Sequence, residues 1–175
     1  MKKILYSLFT IALVYVCISC TDERKVDVTS KVYMPQANYG VTYVVPNNGN
    51  DLQNNKNYEI AGNKVKVYLG VYCSGLDALK GYSVDIVTGN TAIEGTTLLP
   101  ASAYTLPLKV TVENGKRENY FNLEIDLDFL KNNRTKVFYL PVSITNVTNY
   151  LFNDNLTTTK VLIKTSELLI KENIE

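Results

Sequence analysis

Histidine is absent from the 175 residues, and so is tryptophan. Without an imidazole there is no Ser/His/Asp or Cys/His nucleophilic relay, and nearly all zinc chemistry is excluded as well. Cysteine is scarce, with only Cys17, Cys20 and Cys73 in the chain. Excess charge of either sign is missing: 18 Lys and Arg stand against 17 Asp and Glu, for a formal net charge of +1. The two signs are interspersed, so the basic footprint that nucleic-acid binding needs is not there. Long amphipathic helical patterns are also lacking. What remains is a chain with 13 tyrosines, written largely in short runs that alternate between apolar and polar residues.

One long apolar run does occur, at the N-terminus. Lys2 and Lys3 precede "ILYSLFTIALVYVCI", and no further charge appears before Asp22. A charged n-region followed by an apolar h-region is the pattern of a secretory signal. The run is shorter than the roughly 20 apolar residues of a membrane-spanning helix, and it ends at the small polar Ser19. Ser19-Cys20 resembles a bacterial lipobox, in which a small residue precedes the cysteine that is diacylated and becomes the mature N-terminus. Cys17 stands three before that cysteine, where lipoboxes usually carry Leu. As an alternative nucleophile, Cys17 would follow Tyr15 and Val16, which are poorer matches to small residues.

We therefore expect a lipoprotein signal peptide over 1–19, lipidation at Cys20 and a lipid-anchored tether over 20–30. Each buried methylene of the anchor contributes about 0.8 kcal/mol. The residues "TDERK" after Cys20 resemble the acidic export signal of Bacteroidetes lipoproteins. The expected location is the outer membrane, lipid-anchored and facing the cell exterior.

The remainder is the size of one domain. With Cys17 removed and Cys20 acylated, Cys73 has no disulfide partner in sequence, so an exported domain must be held by its core alone. In "VKVYLGVYCSG", Val65, Val67, Leu69, Val71 and Cys73 share one face by the period of two, and the thiol reads as a small buried hydrophobe. "KVYMPQA", "GVTYVVPNNGN" and "GYSVDIVTG" read as strands closed by turn residues. "YEIAGNKVKV" turns at Gly62 and Asn63, and the Asn-rich residues 46 to 57 read as an exposed loop.

"LKVTVENGKRENYFNLEIDL" reads as a hairpin about Asn114-Gly115, with Leu108, Val110 and Val112 on one strand and Phe121, Leu123, Ile125 and Leu127 on the return. "DFLKNN" reads as a helical turn or loop. In "KVFYLPVSITN", Phe138, Leu140, Val142 and Ile144 form another inward row, and Pro141 argues for an edge strand or a bulge. "KVLIKT" closes the set, and the tail over 167–175 is compatible with a short helix or a strand. The fold expected is all-β: an antiparallel β-sandwich of about seven or eight strands over residues 31–166, after the N-terminal signal segment.

In order along the chain, "KVYMPQA", "VYLGVYCSGLDALKGYSVDI", "LLPASAYTLP" with "VTVENGKR", and "FYLPVSITN" with "NLTTTKVLI" resemble the N-terminal domain of unknown function common in Bacteroidetes surface lipoproteins. The resemblance covers roughly residues 30 to 165. It implies an immunoglobulin-like sandwich of the kind that often precedes a discoidin-like glycan-binding module or a glycosidase module in polysaccharide-utilisation proteins. On this reading no such module follows, so a neighbour's function is not carried over. The family has no established catalytic residues to transfer.

The chemistry readable in the residues points away from catalysis. Glycosidases hold two carboxylates roughly 5 to 9 Å apart across a bond. Glu124 and Asp126 could pair in this way, but they alternate with Leu123, Ile125 and Leu127 and read as the solvated side of a strand. "DNLTTT" and "NNGND" offer oxygen ligands without the spacing of a calcium loop, and turn chemistry accounts for them. "NRT", "NVT" and "NLT" match the glycosylation acceptor by chance. No enzyme activity, metal or cofactor is expected.

A sugar ring stacks on a tyrosine while its hydroxyls pair with polar side chains. The candidates are Tyr68 and Tyr72, opposite the Val65/Val67/Leu69 row and beside Lys66, together with Tyr104 and with Tyr150 near Phe152. Two readings stand: a lipid-anchored surface protein that binds a polysaccharide ligand, or a structural or adhesive module that takes a surface protein partner on its sheet edges. A cluster of tyrosines in one shallow site would favour the first, and an exposed strand edge or apolar patch the second. Replacing Cys20 with Ala is expected to release the protein from the membrane fraction and abolish metabolic lipid labelling. Retention of the variant on the membrane without label would overturn the lipobox reading.

Overall fold

The structure, a computed structural model, describes residues 29–37, 41–47, 56–75 and 79–174. The signal peptide, Cys20, the tether as far as residue 28 and most of the Asn-rich loop lie outside the described residues.

Two six-stranded sheets pack face to face. The first runs β11 (Leu151–Phe152), β1 (Lys31–Tyr33), β4 (Lys64–Cys73), β9 (Glu118–Asp126), β7 (Tyr104–Thr105), with β3 (Tyr58–Ala61) also paired to β4. The second runs β2 (Tyr43–Val45), β12 (Thr158–Lys164), β10 (Val137–Thr145), β5 (Tyr82–Thr88), β8 (Lys109–Val112), with β6 (Thr97–Leu98) also paired to β10. The long ladders are antiparallel. Three short peripheral pairs, β1–β11, β10–β6 and β12–β2, are parallel.

The alternation in sequence becomes the core. Val65, Val67, Leu69, Val71 and Cys73 of β4 and Phe121, Leu123 and Ile125 of β9 are buried from one sheet. Val84 and Ile86 of β5, Val110 and Val112 of β8, Phe138, Leu140, Val142 and Ile144 of β10, and Val161 and Ile163 of β12 meet them from the other. Each such aliphatic side chain contributes roughly 1.5–3 kcal/mol when fully buried, so the core supplies the stabilisation that disulfides give many exported domains. The Cys73 thiol is buried in the inner row, as its position in the alternation predicts. The turn at Gly62 and Asn63 joins β3 to β4, with Ala61 opposite Lys64 and Gly62 at φ 59°.

The structure corrects the expected hairpin about Asn114-Gly115. β8 pairs with β5 in one sheet, whereas β9 pairs with β4 and β7 in the other, so residues 113–117 cross between sheets. A turn does form, with the Lys116 amide donating to the Glu113 carbonyl at 3.1 Å. Gly115 adopts φ 79°, but Asn114 stays out of the left-handed region that a two-residue hairpin of the commonest type needs at both positions. Instead the Asn114 Oδ1 accepts from the Gly81 amide at 2.5 Å and holds the turn to the start of β5. Periodicity assigns each flank an inward face, and both sheets offer one.

Pro141 is not on an edge strand. β10 lies in the middle of its sheet, with β12 opposite Val137 to Ser143 on one side. On the other side β6 covers Phe138 and Tyr139, β5 covers Val142 to Thr145, and Pro141 falls in the gap between them. Its carbonyl accepts from the Gly89 amide at 2.9 Å across that gap, so the missing proline N–H removes no rung between paired strands.

The described part of the expected tail, residues 167–174, begins in a helix. A first short helix, α1 (Leu127–Lys131), is capped by the Asp126 side chain, which accepts from the Phe129 amide at 2.9 Å, and it buries Leu127 and Leu130. The second, α2 (Thr165–Lys171), follows β12 and inserts Leu168 and Leu169, 0 % and 2 % exposed, into the same core. The Glu172 carboxylate then accepts from the Tyr58 hydroxyl and from Lys56 Nζ, both at 2.6 Å. Burial alone would raise the Glu172 pKa, but the bonds from Lys56 and Tyr58 and the charges of Lys56 and Lys171 outweigh it and hold it below 4.5.

Two outcomes are expected. Leu168→Ala should cost about 2–5 kcal/mol in urea unfolding, and a change under 1 kcal/mol would show that α2 is not part of the cooperative unit. Glu172 has a depressed folded pKa, so its contribution is present above 4.5 and is lost as pH falls through the lower folded value. Urea melts from pH 7 to 3 should show a loss of stability in that range that Glu172→Gln reduces.

Candidate glycan-binding face

The residues of β4 and β9 that do not enter the core form the outer face of the first sheet. The nine-pair register sets Lys66 opposite Glu124, Tyr68 opposite Asn122, Gly70 opposite Tyr120, and Tyr72 opposite Glu118. β1 extends the row by placing Tyr33 opposite Tyr72. Those two rings lie 5.5 Å apart at 55°.

Gly70 is what lets Tyr120 join them. A Cβ at Gly70 would come within 2.9 Å of the Tyr120 ring, so that ring lies down over the β4 backbone where any other residue would lift it. Tyr120 remains 62 % exposed. The Gly70 amide is satisfied from the opposite side by the Gln36 Oε1 at 3.1 Å, in the gap between the stretches of β4 covered by β1 and β3. A hydrogen bond to Glu118, burial and the charge of that carboxylate raise the Tyr120 pKa. Tyr68 is also raised, by burial and then by a hydrogen bond to Glu59 and its charge. Both phenols stay neutral and able to donate at physiological pH.

The tyrosine face runs into a shallow trough of about 490 Å³ lined by Thr111, Val112, Glu113, Lys116, Glu118, Asn119 and Tyr120. Asn119 builds its wall. Its Oδ1 accepts from the Tyr120 amide at 2.8 Å while its Nδ2 donates to the Thr111 carbonyl at 2.8 Å. This side chain thereby fastens the edge of β9 to β8 across the two sheets. Further along β9, Asn122 and Glu124 line a second depression with Thr105, Leu106 and Pro107.

The four tyrosines singled out in sequence divide. Tyr68 and Tyr72 lie on the shared outer face, opposite the Val65/Val67/Leu69 row. Tyr104 is opposite Ile125, packs against the core and bonds the Thr88 Oγ1 at 3.2 Å, lining a separate apolar depression with Val87, Leu106 and Leu108. Tyr150 is a clamp at the end of the sandwich. Its ring stands edge-on to Tyr82 at 5.6 Å, and its hydroxyl accepts from the Lys80 amide at 2.7 Å and donates to the Lys80 carbonyl at 3.1 Å. Phe152 packs against the core.

Lys66 pairs with Glu59 at 3.3 Å and Lys64 with Asp126 at 3.8 Å. Glu124 is on the outer row, and Asp126 serves as the cap of α1. Among the described residues no cluster of His, Cys, Asp and Glu could hold a metal ion. Sequence reasoning did not place Tyr33 and Tyr120 beside Tyr68 and Tyr72. Tyr120 belongs to the same alternation as Asn122 and Glu124 and could have been assigned from it, whereas Tyr33 joins Tyr72 only through the pairing of β1 with β4.

A family model described as an N-terminal domain matches residues 28–151. No curated protein matches the chain. Among solved structures, a candidate carbohydrate-binding protein of Bacteroides ovatus superposes with a TM-score of 0.51 at 13% identity, covering 76% of this chain and 36% of that one. A Bacteroides ovatus protein of unknown function gives a TM-score of 0.45 at 19% identity over 57% of this chain and 36% of the other. The chain thus spans 36% of the length of each of these two structures. At 13% identity the likeness to the first of these shows the fold alone.

Proposed function

The chain belongs to the family of N-terminal domains matched over residues 28–151, and from that premise we propose that it is a non-catalytic glycan-capture protein. The observation that carries this reading is the run of Tyr33, Tyr72, Tyr120 and Tyr68 on one outer sheet face, beside a shallow polar trough. Tyrosine supplies an apolar ring for the CH-rich face of a sugar and a hydroxyl for its polar rim. Tyr68, Tyr72 and Tyr120 sit on the longest ladder of the fold, so their backbone is ordered before binding, which favours affinity. In this proposal the protein is lipid-anchored at Cys20 in the outer membrane, faces outward and assists polysaccharide capture and uptake.

The sheet edges lend less support to capture of a partner by strand addition. The edge strands β11 and β7 have two residues each, β2 has three, and β3 and β8 have four, and short edges are poor templates, although β7 covers only Glu124 and Ile125 of β9. One observation does favour a protein partner: Val87 and Leu108, 44 % and 85 % exposed, flank the apolar depression beside Tyr104.

Affinity gels with plant, host and microbial polysaccharides test the proposal. We expect retardation by at least one polysaccharide, weakened about fivefold by Tyr72→Ala or Tyr120→Ala if each ring contributes about 1 kcal/mol. Tyr104→Phe should leave binding unchanged. No retardation across the panel would sink the glycan reading in favour of a protein partner at the Val87/Leu108 patch.

A further inference from the structure

Resting on the reading of the tyrosine face as a glycan site, we infer that its ligand is the interior of an uncharged, hydroxyl-rich polysaccharide chain. A chain end, a free monosaccharide or an anionic glycan does not fit the site. Three features carry this: the extent of the face, the absence of end walls among the described residues, and its charge.

The aromatic run crosses three adjacent strands, from Tyr33 on β1 through Tyr72 on β4 to Tyr120 on β9. Strands lie about 4.8 Å apart, so the backbones beneath the outermost rings are separated by about 10 Å. Tyr68 and Tyr72 are four residues apart on β4, about 13 Å at 3.3 Å per residue. One sugar ring cannot touch both ends of such a run. Binding therefore accumulates over consecutive units of one chain.

The face is also open. Among the described residues, only the two-residue β11 continues the sheet beyond Tyr33. At the other end the surface descends into the trough beyond Tyr120. A site that recognises a chain terminus needs a closed end, and the described residues provide none here.

The charged groups decide the chemical class. Lys66 and Lys64 are engaged by Glu59 and Asp126. Around Tyr120 and Asn122, the carboxylates facing a ligand are Glu113, Glu118 and Glu124, with Lys116 as the cation of the trough. The Asn119 amide is spent on the Tyr120 amide and the Thr111 carbonyl. Ionised carboxylates only accept hydrogen bonds, and sugar hydroxyls donate them. A uronate or sulfate laid on Tyr120 would instead meet like charge in excess of its one nearby lysine.

The test uses the full-length chain in detergent, run in affinity gels that contain either neutral polysaccharides (a β-glucan, a galactomannan, an arabinan) or anionic ones (polygalacturonate, chondroitin sulfate). Glucose, mannose and arabinose and their hexameric oligosaccharides serve as competitors. The expected result is retardation by a neutral polymer at least tenfold stronger than by any anionic one, competed by the matching hexamer and not by the monosaccharide. Glu118→Gln, which keeps the shape and removes the charge, should narrow the gap between the two classes by threefold or more, with thermal melting unchanged.

Equal or stronger retardation by an anionic polymer, or competition by the monosaccharide at the hexamer's concentration, would overturn this inference and leave glycan binding standing. An unchanged gap in Glu118→Gln would overturn the electrostatic account. Absence of retardation by either class would remove the glycan reading itself and this inference with it.

Discussion

The ladder between β4 and β9, from Lys64 opposite Asp126 to Tyr72 opposite Glu118, is the constraint on which the rest of the structure depends. Its inward pairs from Val65 and Ile125 to Leu69 and Phe121 are aliphatic or aromatic, with Asn119 opposite Val71 at the end, and a shift of one residue would turn them out to water. Register is therefore strongly specified. Because the two faces of a strand are coupled, burying Val65, Val67, Leu69 and Val71 also determines where Tyr68, Gly70 and Tyr72 stand, and burying Phe121 and Leu123 places Tyr120 and Asn122. The candidate binding face is thus a geometric consequence of the core.

The crossing between sheets at residues 113–117 depends on the same ladder. β9 pairs with β4 along one side and with the short β7 at the far end of the other, whereas β8 pairs with β5, so the chain changes sheet between β8 and β9. Two contacts hold the sheets together near this crossing. The Tyr82 hydroxyl donates to the Arg117 carbonyl at 2.9 Å from the opposite sheet, and Asn119 bridges β9 and β8 with both ends of its amide. Asn119 also occupies an edge position that would otherwise offer backbone groups to another chain. In this way it builds the wall of the trough and satisfies one edge amide of β9 at once.

Tyrosine serves distinct purposes in different places. Tyr58 and Tyr82 are buried and use their hydroxyls to tie elements together, and burial pushes both phenols well above the usual range. Tyr150 spends both hydrogen-bonding capacities on the backbone of Lys80. Tyr33, Tyr68, Tyr72 and Tyr120 share a sheet surface that the core does not need. Composition cannot distinguish these roles, because the residue type is the same and only the surroundings differ.

Local pattern alone determined the all-β class, the inward rows, the burial of Cys73, the turn at Gly62 and the placement of Tyr68 and Tyr72 on the face away from the core. These follow from the period of two, which needs no knowledge of partners. Tertiary structure decided which strand pairs with which, and every miss lies there. Pro141 sits mid-sheet where β5 and β6 leave a gap, the Asn114-Gly115 turn crosses between sheets because β8 pairs with β5 and β9 with β4, and Leu168 and Leu169 join the core from α2. It also decided that Tyr33 and Tyr120 share the outer face with Tyr68 and Tyr72 while Tyr104 and Tyr150 lie elsewhere. Alternation assigns a side chain to a face, but only strand pairing brings two faces together.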